Sequence, residues 1–191
     1  MERRSVYNLS NELPLAEDKV VELIKEAVRE CPSAFNSQSS RVVILLGQEH
    51  KKLWTTIQQK MEVELDAKTY NILKDKVEHG ILTAAGSVLF FEDMDTVHSL
   101  QQKFPRYTDA LPQWSEHASG MAQFAVWTAL AQKGIGASLQ HFNSFIDEAA
   151  TAGWNLPSSW RLCAQMPFGK PLTKPGEKTY IPDEDRFIVL K

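Results

Sequence analysis

Cysteine is scarce in this chain: Cys31 and Cys163 are the two cysteines among 191 residues. They stand far apart, so they cannot supply the closely spaced pairs from which zinc sites and disulfide frameworks are built. The first ten residues, MERRSVYNLS, contain no apolar stretch after their arginines and do not form a secretory signal. We therefore expect reduced thiols and a cytoplasmic protein.

Histidines at metal-ligand spacing are missing as well. The chain has five scattered histidines: His50, His79, His98, His117 and His141. None has a second histidine or a cysteine at the short spacing that zinc sites use. The sequence predicts no metal site.

Neither an excess of basic residues nor a long apolar run is present. The formal net charge is -3 and the pI is about 6.0, which gives no electrostatic footprint for nucleic acid. No apolar run approaches the length needed to span a bilayer. We expect neither nucleic acid nor a membrane as a partner.

Familiar catalytic motifs are also absent. The sequence has no G-x-x-x-x-G-K-[ST] loop and no G-x-G-x-x-G turn. The run from Gly136 to Gln140, GASLQ, begins like the nucleophile elbow of serine hydrolases, but its last residue is not glycine and a helix, not a strand, is predicted before it. A catalytic side-chain nucleophile is therefore not expected.

Apolar periodicity predicts helices that alternate with a few short strands. The predicted helices cover residues 15–31, 50–65, 69–79, 96–104 and 144–152, and the predicted strands cover residues 41–46, 84–91, 160–168 and 186–190. Asp95 is the predicted cap of the fourth helix, and Asn143 that of the fifth. This order is typical of a layered α+β sandwich, and the length suggests one domain, residues 1–191. The last strand could pair with a second copy of the chain.

A further predicted helix organises the chain. From His117 to Gln132 it has no charged residue, and apolar residues recur at helical spacing on nearly all sides, which indicates burial. Small residues such as Gly120 and Ala122 would allow another backbone to approach closely. Gly134 ends the helix and a polar run follows, so the helix either simply closes with a loop or positions a loop that binds a ligand.

Two polar clusters in the first half of the chain could bind a ligand. Arg3, Arg4 and Ser5 offer two fixed cations and a hydroxyl, which suit a phosphate monoester, or they form a solvated terminal charge pair. Asn36 and Gln38 carry amides that could meet a ring with alternating carbonyl and N–H groups, or they belong to an ordinary turn.

Two more clusters lie in the second half. Ser138, Leu139 and Gln140 follow the central helix and could face the other side of a flat ligand, or form an ordinary loop. Lys170 and Lys178 stand in a Gly/Pro-rich loop and could complete a phosphate site, although for each lysine alone a solvated charge is the simpler interpretation.

The stretches RRSVY, PSAFNSQSSRVVIL, SGMAQFAVWTALAQKGIGASLQHF and FGKPLTKPGEK together resemble the nitroreductase superfamily. More narrowly, they resemble its short branch around the yeast fatty-acid-repression-mutant protein and bacterial relatives. The resemblance covers nearly the whole chain in the right order. It implies an α+β nitroreductase-like sandwich with a central mixed or antiparallel sheet flanked by helices, assembled as a homodimer.

The resemblance also implies a non-covalently bound FMN at each subunit interface, with NADH or NADPH as electron donor. By position, the residues expected to contact FMN are Arg3, Arg4, Ser5, Asn36, Gln38, Ser138, Leu139, Gln140, Lys170 and Lys178. Tyr107 and Trp114 would stack over the ring and select the substrate, whereas Phe104 is expected to pack. Gln38 and Arg41 are candidates for the group that stabilises the reduced flavin, the alternative for Arg41 being a salt bridge at a strand end.

The function that the resemblance implies is reduction of nitroaromatics, quinones or similar oxidants by a ping-pong mechanism. No side chain acts as the catalyst, because the flavin N5 carries the hydride. Two other functions stay open at this point: a flavin-binding regulatory or stress-response protein with little turnover, and a cofactor-free interaction protein that keeps the fold.

Overall fold

The computed structural model describes residues 3–146 and 153–191, and one antiparallel sheet lies at its centre. In spatial order its strands are β1 (Leu9–Ser10), β5 (Trp160–Pro171), β3 (Gly86–Asp93) and β2 (Ser40–Leu46), with β4 (Gly136–Ala137) paired to β5. Within the described residues the α-helices are α1 (Glu17–Arg29), α2 (Gly47–Glu64), α3 (Ala67–Lys76), α4 (Met94–Lys103), α5 (Leu111–Gln132) and α6 (Asp183–Arg186). The predicted α+β sandwich is confirmed.

The central strand β3 is buried because helices cover both faces of the sheet. Val88 and Phe90 lie in one apolar cluster with residues of α1 and α5, whereas Leu89 and Phe91 lie in a second cluster with residues of α2 and of the turn after α3. Successive side chains of a strand point to opposite faces, so one apolar run serves both clusters. The fold therefore has three layers.

Strand β2 lies at an edge of the sheet, although its apolar run predicted a buried strand. It pairs with β3 on one side, and Leu45 is its one fully buried residue. An apolar run shows that both faces of a strand are covered, but it does not show whether a neighbour lies on each side.

The central helix α5 begins at Leu111, earlier than predicted, and ends at Gln132. Gly134 follows with φ +73°, a conformation that suits glycine at a helix C-terminus. The helix is not buried on all sides: Met121 and Phe124 are 41% and 45% exposed, whereas the small residue Ala122 faces the protein's own core. Among the described helices, α5 included, none is long and apolar enough to cross a membrane.

Two details of the helix ends differ from the prediction. Asp93, not Asp95, caps α4, because its carboxylate accepts a hydrogen bond from the amide of Asp95 at 3.2 Å. A short 3-10 turn, Asn143–Phe145, stands where the helix of residues 144–152 was predicted. Residues 147–152 of that predicted helix lie outside the described part of the chain.

The predicted terminal strand does not form within the chain. The short helix α6 occupies residues 183–186, and residues 187–191 have no regular structure. Phe187, Ile188, Val189 and Leu190 are all exposed, Leu190 by 90%. These residues pair with no strand of their own sheet.

One buried polar network fixes α2 against the sheet. His50 is fully buried, and its Nε2 lies 2.9 Å from the carbonyl oxygen of Ile81, to which it donates. Its Nδ1 accepts from the hydroxyl of Ser87 at 3.0 Å, and the same hydroxyl oxygen accepts a hydrogen bond from Trp54 Nε1 at 2.9 Å. The ring is thus held neutral, and burial lowers the pKa of His50 to about 4.

This network predicts a loss of stability in mild acid. A folded-state pKa below the unfolded value of 6.5 means that the contribution of His50 is fully present above about pH 6.5 and is lost as the pH falls toward about 4. The free energy of unfolding should drop by about 3 kcal/mol more for the native protein than for His50→Gln over this range. Urea titrations at several pH values measure it.

The control for this comparison is His79→Gln, because His79 is exposed and pairs with Asp75 at 3.5 Å on the surface. This variant should keep the pH dependence of the native protein. Equal slopes for the native protein and the His50 variant would refute the role of the buried ring.

Candidate functional site

The N-terminal segment lies beside the residues that follow the central helix. Ser5 bridges to Ala137 in parallel, and the amide of Val6 donates to the Ala137 carbonyl at 2.9 Å. Gly136 fits this close packing without adjustment, since a Cβ there would lie 2.9 Å from the end of the Leu9 side chain and 3.2 Å from Val6. Two sequence-predicted clusters, residues 3–5 and 138–140, are therefore neighbours in space.

Arg3 stacks on the central helix. Its guanidinium carbon lies 4.2 Å from the ring centre of Trp127, whose indole N–H donates to the Ala137 carbonyl at 3.1 Å. The Nε of Arg3 is buried and has no hydrogen-bond partner within the described residues. Since buried donors are nearly always paired, this atom indicates a place where a ligand oxygen would bind.

A cavity of about 430 Å³ lies between the N-terminal segment and the C-terminal loop. The residues that line this arginine cavity are Arg3, Arg4, Ser5, Val6, Tyr7, Asn8 and residues 173–178 of the loop. Arg4 closes one side, because its Nη2 donates to the carbonyl of Gly176 at 2.5 Å. Among the described residues of the lining, four cations stand against the single carboxylate of Glu177, which favours an anionic ligand.

The two predicted lysines have different positions. Lys178 lines the arginine cavity, with its Nζ 4.8 Å from the ring centre of Tyr180. Lys170 lies outside the lining and pairs its ammonium with the carboxylate of Glu12. Lys174, which the sequence analysis did not single out, lines the cavity in its place. Its presence in the same Gly/Pro-rich loop was the available signal.

The loop after β4 continues the sheet instead of projecting into solvent. The amide of Gln140 donates to the Gln165 carbonyl at 2.7 Å, and the Gln165 amide returns a bond of 2.9 Å. Ser138 and Gln140 are both buried, and Gln140 Nε2 donates to the Ser138 hydroxyl at 2.9 Å. Gln140 Oε1 accepts from Lys76 Nζ at 2.7 Å. The loop is therefore rigid on both its backbone and its side-chain sides.

Asn36 and Gln38 lie on an exposed turn before β2, the amide turn (residues 35–38). Phe35, Asn36 and Gln38 have φ of +55°, +53° and +50°, which non-glycine residues rarely adopt. The turn is held because Ser33 Oγ accepts from the Gln38 amide at 2.8 Å and Arg41 donates to the Gln38 carbonyl. Strained backbone fixed in this way is typical of functional sites.

The base of this amide turn is a buried carboxylate. Glu92 is fully buried, and its two oxygens accept from the hydroxyls of Ser39 at 2.6 Å and Ser40 at 2.5 Å. Burial raises the pKa of Glu92. Arg41 is engaged nearby, because its Nη2 lies 2.9 Å from Asp93 in a salt bridge at the strand end. Its charge is therefore neutralised inside the chain.

Four aromatic rings surround the amide turn. Phe35 and Phe104 are stacked with centres 4.3 Å apart and planes 12° apart, so Phe104 packs as expected. Tyr107 and Trp114 lie 5.9 and 6.2 Å from Phe35, and 5.4 Å from each other. The predicted substrate residues therefore belong to the amide turn, not to the arginine cavity.

The arginine cavity and the amide turn lie at diagonally opposite corners of the sheet. The turn precedes Ser40, which pairs with Glu92 of β3, and Glu92 pairs with Arg161 of β5. Ser5 instead bridges to Ala137, which pairs with Phe168 near the other end of β5. At about 3.4 Å per residue, about 20 Å of strand separate these levels, and β3 lies between β5 and β2. One chain therefore does not bring all its predicted site residues onto one small ligand.

The sequence model of the Nitroreductase family matches residues 1–170. The chain belongs to the nitroreductase family. The protein HBN1 from Saccharomyces cerevisiae is 38% identical to this nitroreductase-family chain. The match covers 95% of this chain and 91% of HBN1. Nitroreductase FRM2 from the same organism is 36% identical over 94% of this chain and 89% of FRM2.

Solved structures of the family share the fold. Nitroreductase CinD from Lactococcus lactis, solved in complex with 4-nitrophenol, is 45% identical, with a TM-score of 0.90 over all of this chain and 96% of that chain. CinD was also solved with chloramphenicol, with the same TM-score. A nitroreductase from Desulfitobacterium hafniense with bound FMN is 16% identical, with a TM-score of 0.74, and so shares the fold alone.

No metal centre accompanies this nitroreductase site in the part of the chain that the structure describes, where no three histidine, cysteine or acidic side chains are grouped to hold an ion. Beyond Lys174, sequence reasoning also missed Lys76 and Phe35. Lys76 lies at a helix end and Phe35 lies in a left-handed turn. Neither kind of segment has an apolar periodicity from which its geometry could be predicted.

Proposed function

We propose that the protein is an FMN-dependent NAD(P)H oxidoreductase that reduces nitroaromatics, quinones or similar oxidants. The observation that carries the proposal is the arginine cavity, in which Arg3 offers a buried Nε without a partner among the described residues. We further propose that residues 1–191 act as one domain in the cytoplasm.

The residues of the arginine cavity fit the phosphate of FMN. Arg3, Arg4, Lys174 and Lys178 supply cations and Ser5 a hydroxyl, and each charge-assisted hydrogen bond to phosphate contributes about 1.5–3 kcal/mol. Lys170 would act from outside this lining, if its pairing with Glu12 were released. The Arg3 guanidinium is already oriented by Trp127, which lowers the entropic cost of binding.

The rigid loop Ser138–Gln140 would form one wall for the ring of the flavin. Its backbone is tied to β5 and its buried side chains are paired, so it offers a fixed surface without internal rearrangement. Leu139 contributes an apolar side chain between two polar ones. Bound FMN would supply the redox chemistry, accepting electrons from the nicotinamide and giving them to the oxidant, while the chain supplies position, electrostatics and exclusion of water.

The amide turn would meet the same flavin from a second subunit. Because Asn36 and Gln38 lie at the opposite corner of their own sheet, a homodimer with sites at its interface is the arrangement that joins both halves. Met121 and Phe124 present an exposed apolar face on α5 beside a groove of about 530 Å³, and such a face is typical of a subunit interface. The exposed residues 187–190 would gain cover from the second copy.

The aromatic rings beside the amide turn suit flat oxidants. Tyr107 and Trp114, together with Phe35, form a wall on which a nitroaromatic ring would stack. The relative CinD was solved with 4-nitrophenol, a ligand of this kind. Nicotinamide and oxidant would use the one stacking position in turn, from which we expect ping-pong kinetics.

The proposal predicts a yellow protein. After incubation with FMN and removal of excess, absorbance near 450 nm, a general property of flavins, should persist, and anaerobic NADH or NADPH should bleach it. Steady-state oxidation of either nucleotide should then depend on a nitroaromatic or a quinone. A protein that stays colourless would refute FMN binding. Bound FMN with negligible oxidation of both nucleotides would favour a regulatory flavoprotein instead.

Removing the leading arginines should empty the site. Arg3→Ala together with Arg4→Ala removes two phosphate contacts, and FMN affinity should fall at least about 100-fold. Fluorescence titration of FMN measures this change, with thermal unfolding of the apoprotein as the check on folding. Lys25→Ala is the matched control, because it removes a surface cation that is paired with Glu22 and lies outside the cavity lining, and its effect should be small. Native affinity in the double variant would contradict the phosphate role.

Subunit mixing tests whether the site is shared. One tagged subunit carries Arg3→Ala with Arg4→Ala, and a differently tagged subunit carries Asn36→Ala with Gln38→Ala. If each site takes arginines from one subunit and amides from the other, the mixed dimer contains one fully native and one doubly impaired site. It should bind one FMN with native affinity. Neither parent dimer should do so, and a mixed dimer without a native site would refute the shared arrangement.

A further inference from the structure

A buried carboxylate lies beneath the amide turn, where β3 ends. Glu92 is fully buried, although a carboxylate taken out of water costs free energy that hydrogen bonds must offset. The cost is visible in its pKa, which burial raises against the opposing effect of two hydroxyl contacts. A polar group kept in the interior at such a cost points to a geometric role, since it can select one local conformation among several.

The hydrogen bonds to Glu92 come from two consecutive residues. Ser39 Oγ donates to one carboxylate oxygen at 2.6 Å, and Ser40 Oγ donates to the other at 2.5 Å. Consecutive side chains of a regular strand point to opposite faces, so both hydroxyls reach one carboxylate because the chain bends at this point. Gln38, directly before the pair, has φ +50°. The carboxylate thus fixes the direction in which the chain passes from the amide turn into β2.

The next residue along β3 holds the turn from a second side. Asp93 accepts from Arg41 Nη2 at 2.9 Å, and Arg41 also donates to the Gln38 carbonyl. Asp93 is itself tied to other elements, because it accepts from the hydroxyls of Thr96 at 2.8 Å and Ser159 at 3.0 Å. The buried glutamate differs, since both of its hydroxyl contacts go to the segment that joins the turn to β2.

The charges around Glu92 do not replace these contacts. Arg161 of β5 and Glu116 of α5 both act on the Glu92 carboxyl, in opposite directions. They form an ion pair with each other, so Arg161 is committed to a different carboxylate. The satisfaction of Glu92 therefore depends on the two serines.

We propose that Glu92 is a positioning residue that, through Ser39 and Ser40, holds the amide turn in the left-handed conformation in which Asn36 and Gln38 meet the cofactor. This inference rests on the proposed function. Residues other than glycine rarely adopt positive φ, so the turn would populate other conformations without this support. Only the fraction of molecules with a correctly formed turn binds with full affinity.

The decisive variant combines Glu92→Leu with Ser39→Ala and Ser40→Ala. It removes the three polar side chains together and leaves none of them unpaired, so the free energy of unfolding in urea should stay near the native value. The turn should nevertheless loosen. The hydrogen-bonded amides of residues 36–38 should exchange at least about tenfold faster, and FMN affinity should fall by about tenfold. Hydrogen exchange followed by mass spectrometry and fluorescence titration of FMN measure the two effects.

Two single variants serve as controls. Glu92→Gln keeps the shape of the side chain, with an oxygen that accepts from one serine and an N–H that donates to the other, so it should retain slow exchange and most of the FMN affinity. Glu116→Gln removes a neighbouring exposed carboxylate that is paired with Arg161, and it should match the native protein. If the triple variant does not fold, Ser40→Ala alone should give smaller changes in the same direction.

A role of Glu92 in packing alone gives a different result. A stable triple variant with slow exchange in the turn and native FMN affinity would overturn the inference. Faster exchange with unchanged FMN affinity would overturn it as well, because the conformation of the turn would then not matter for binding. A native protein that binds no FMN refutes the proposed function, and hydrogen exchange then decides alone whether Glu92 holds the turn.

Discussion

The pairing of the N-terminal segment with the two residues of β4 is the contact on which the candidate site depends. It places Ser5 beside Ala137 and so joins the leading arginines to the loop that follows the central helix. Gly136 lets the side chains of Leu9 and Val6 pack closely beside this contact, and the Trp127 indole donates to the same carbonyl. One backbone bridge thus orients a cation, an aromatic ring and a polar loop together. Because these groups are held before any ligand arrives, binding loses little conformational entropy.

Most of the fold could be predicted from the sequence because its signals are local. Apolar periodicity located α1, α2 and β3 to within a few residues, and Gly134 marked the end of α5. The sequence-based predictions were wrong where a distant segment of the chain decides the local structure. The edge position of β2 and the lack of regular structure at residues 187–191 depend on which neighbouring segment is present, and local composition carries no information on that.

The candidate site could be predicted in part for the same reason. Residues 3–5 and 138–140 were recognisable as polar clusters at the ends of elements, and the structure brings them together. Lys76 and Lys174 could not be singled out, since a lysine on a helix or in a loop is ordinarily a solvated charge. What distinguishes Lys76 is its surroundings: a buried amide and two rings that come from distant parts of the chain. Such surroundings exist only in three dimensions.

The separation of the two half-sites has a thermodynamic consequence for the proposed dimer. A ligand that contacts the arginine cavity of one subunit and the amide turn of the other binds the dimer and not the separated chains. Cofactor binding and association are then linked, so each strengthens the other by the same factor. In this proposed dimer the exposed face around Phe124 and the uncovered residues 187–190 would supply apolar area for association, whereas the strained turn at Phe35 would supply geometry and little area. The stability of the proposed assembly and the precision of its site would therefore come from different surfaces, so the aromatic residues beside the amide turn could vary with the oxidant while the dimer is retained.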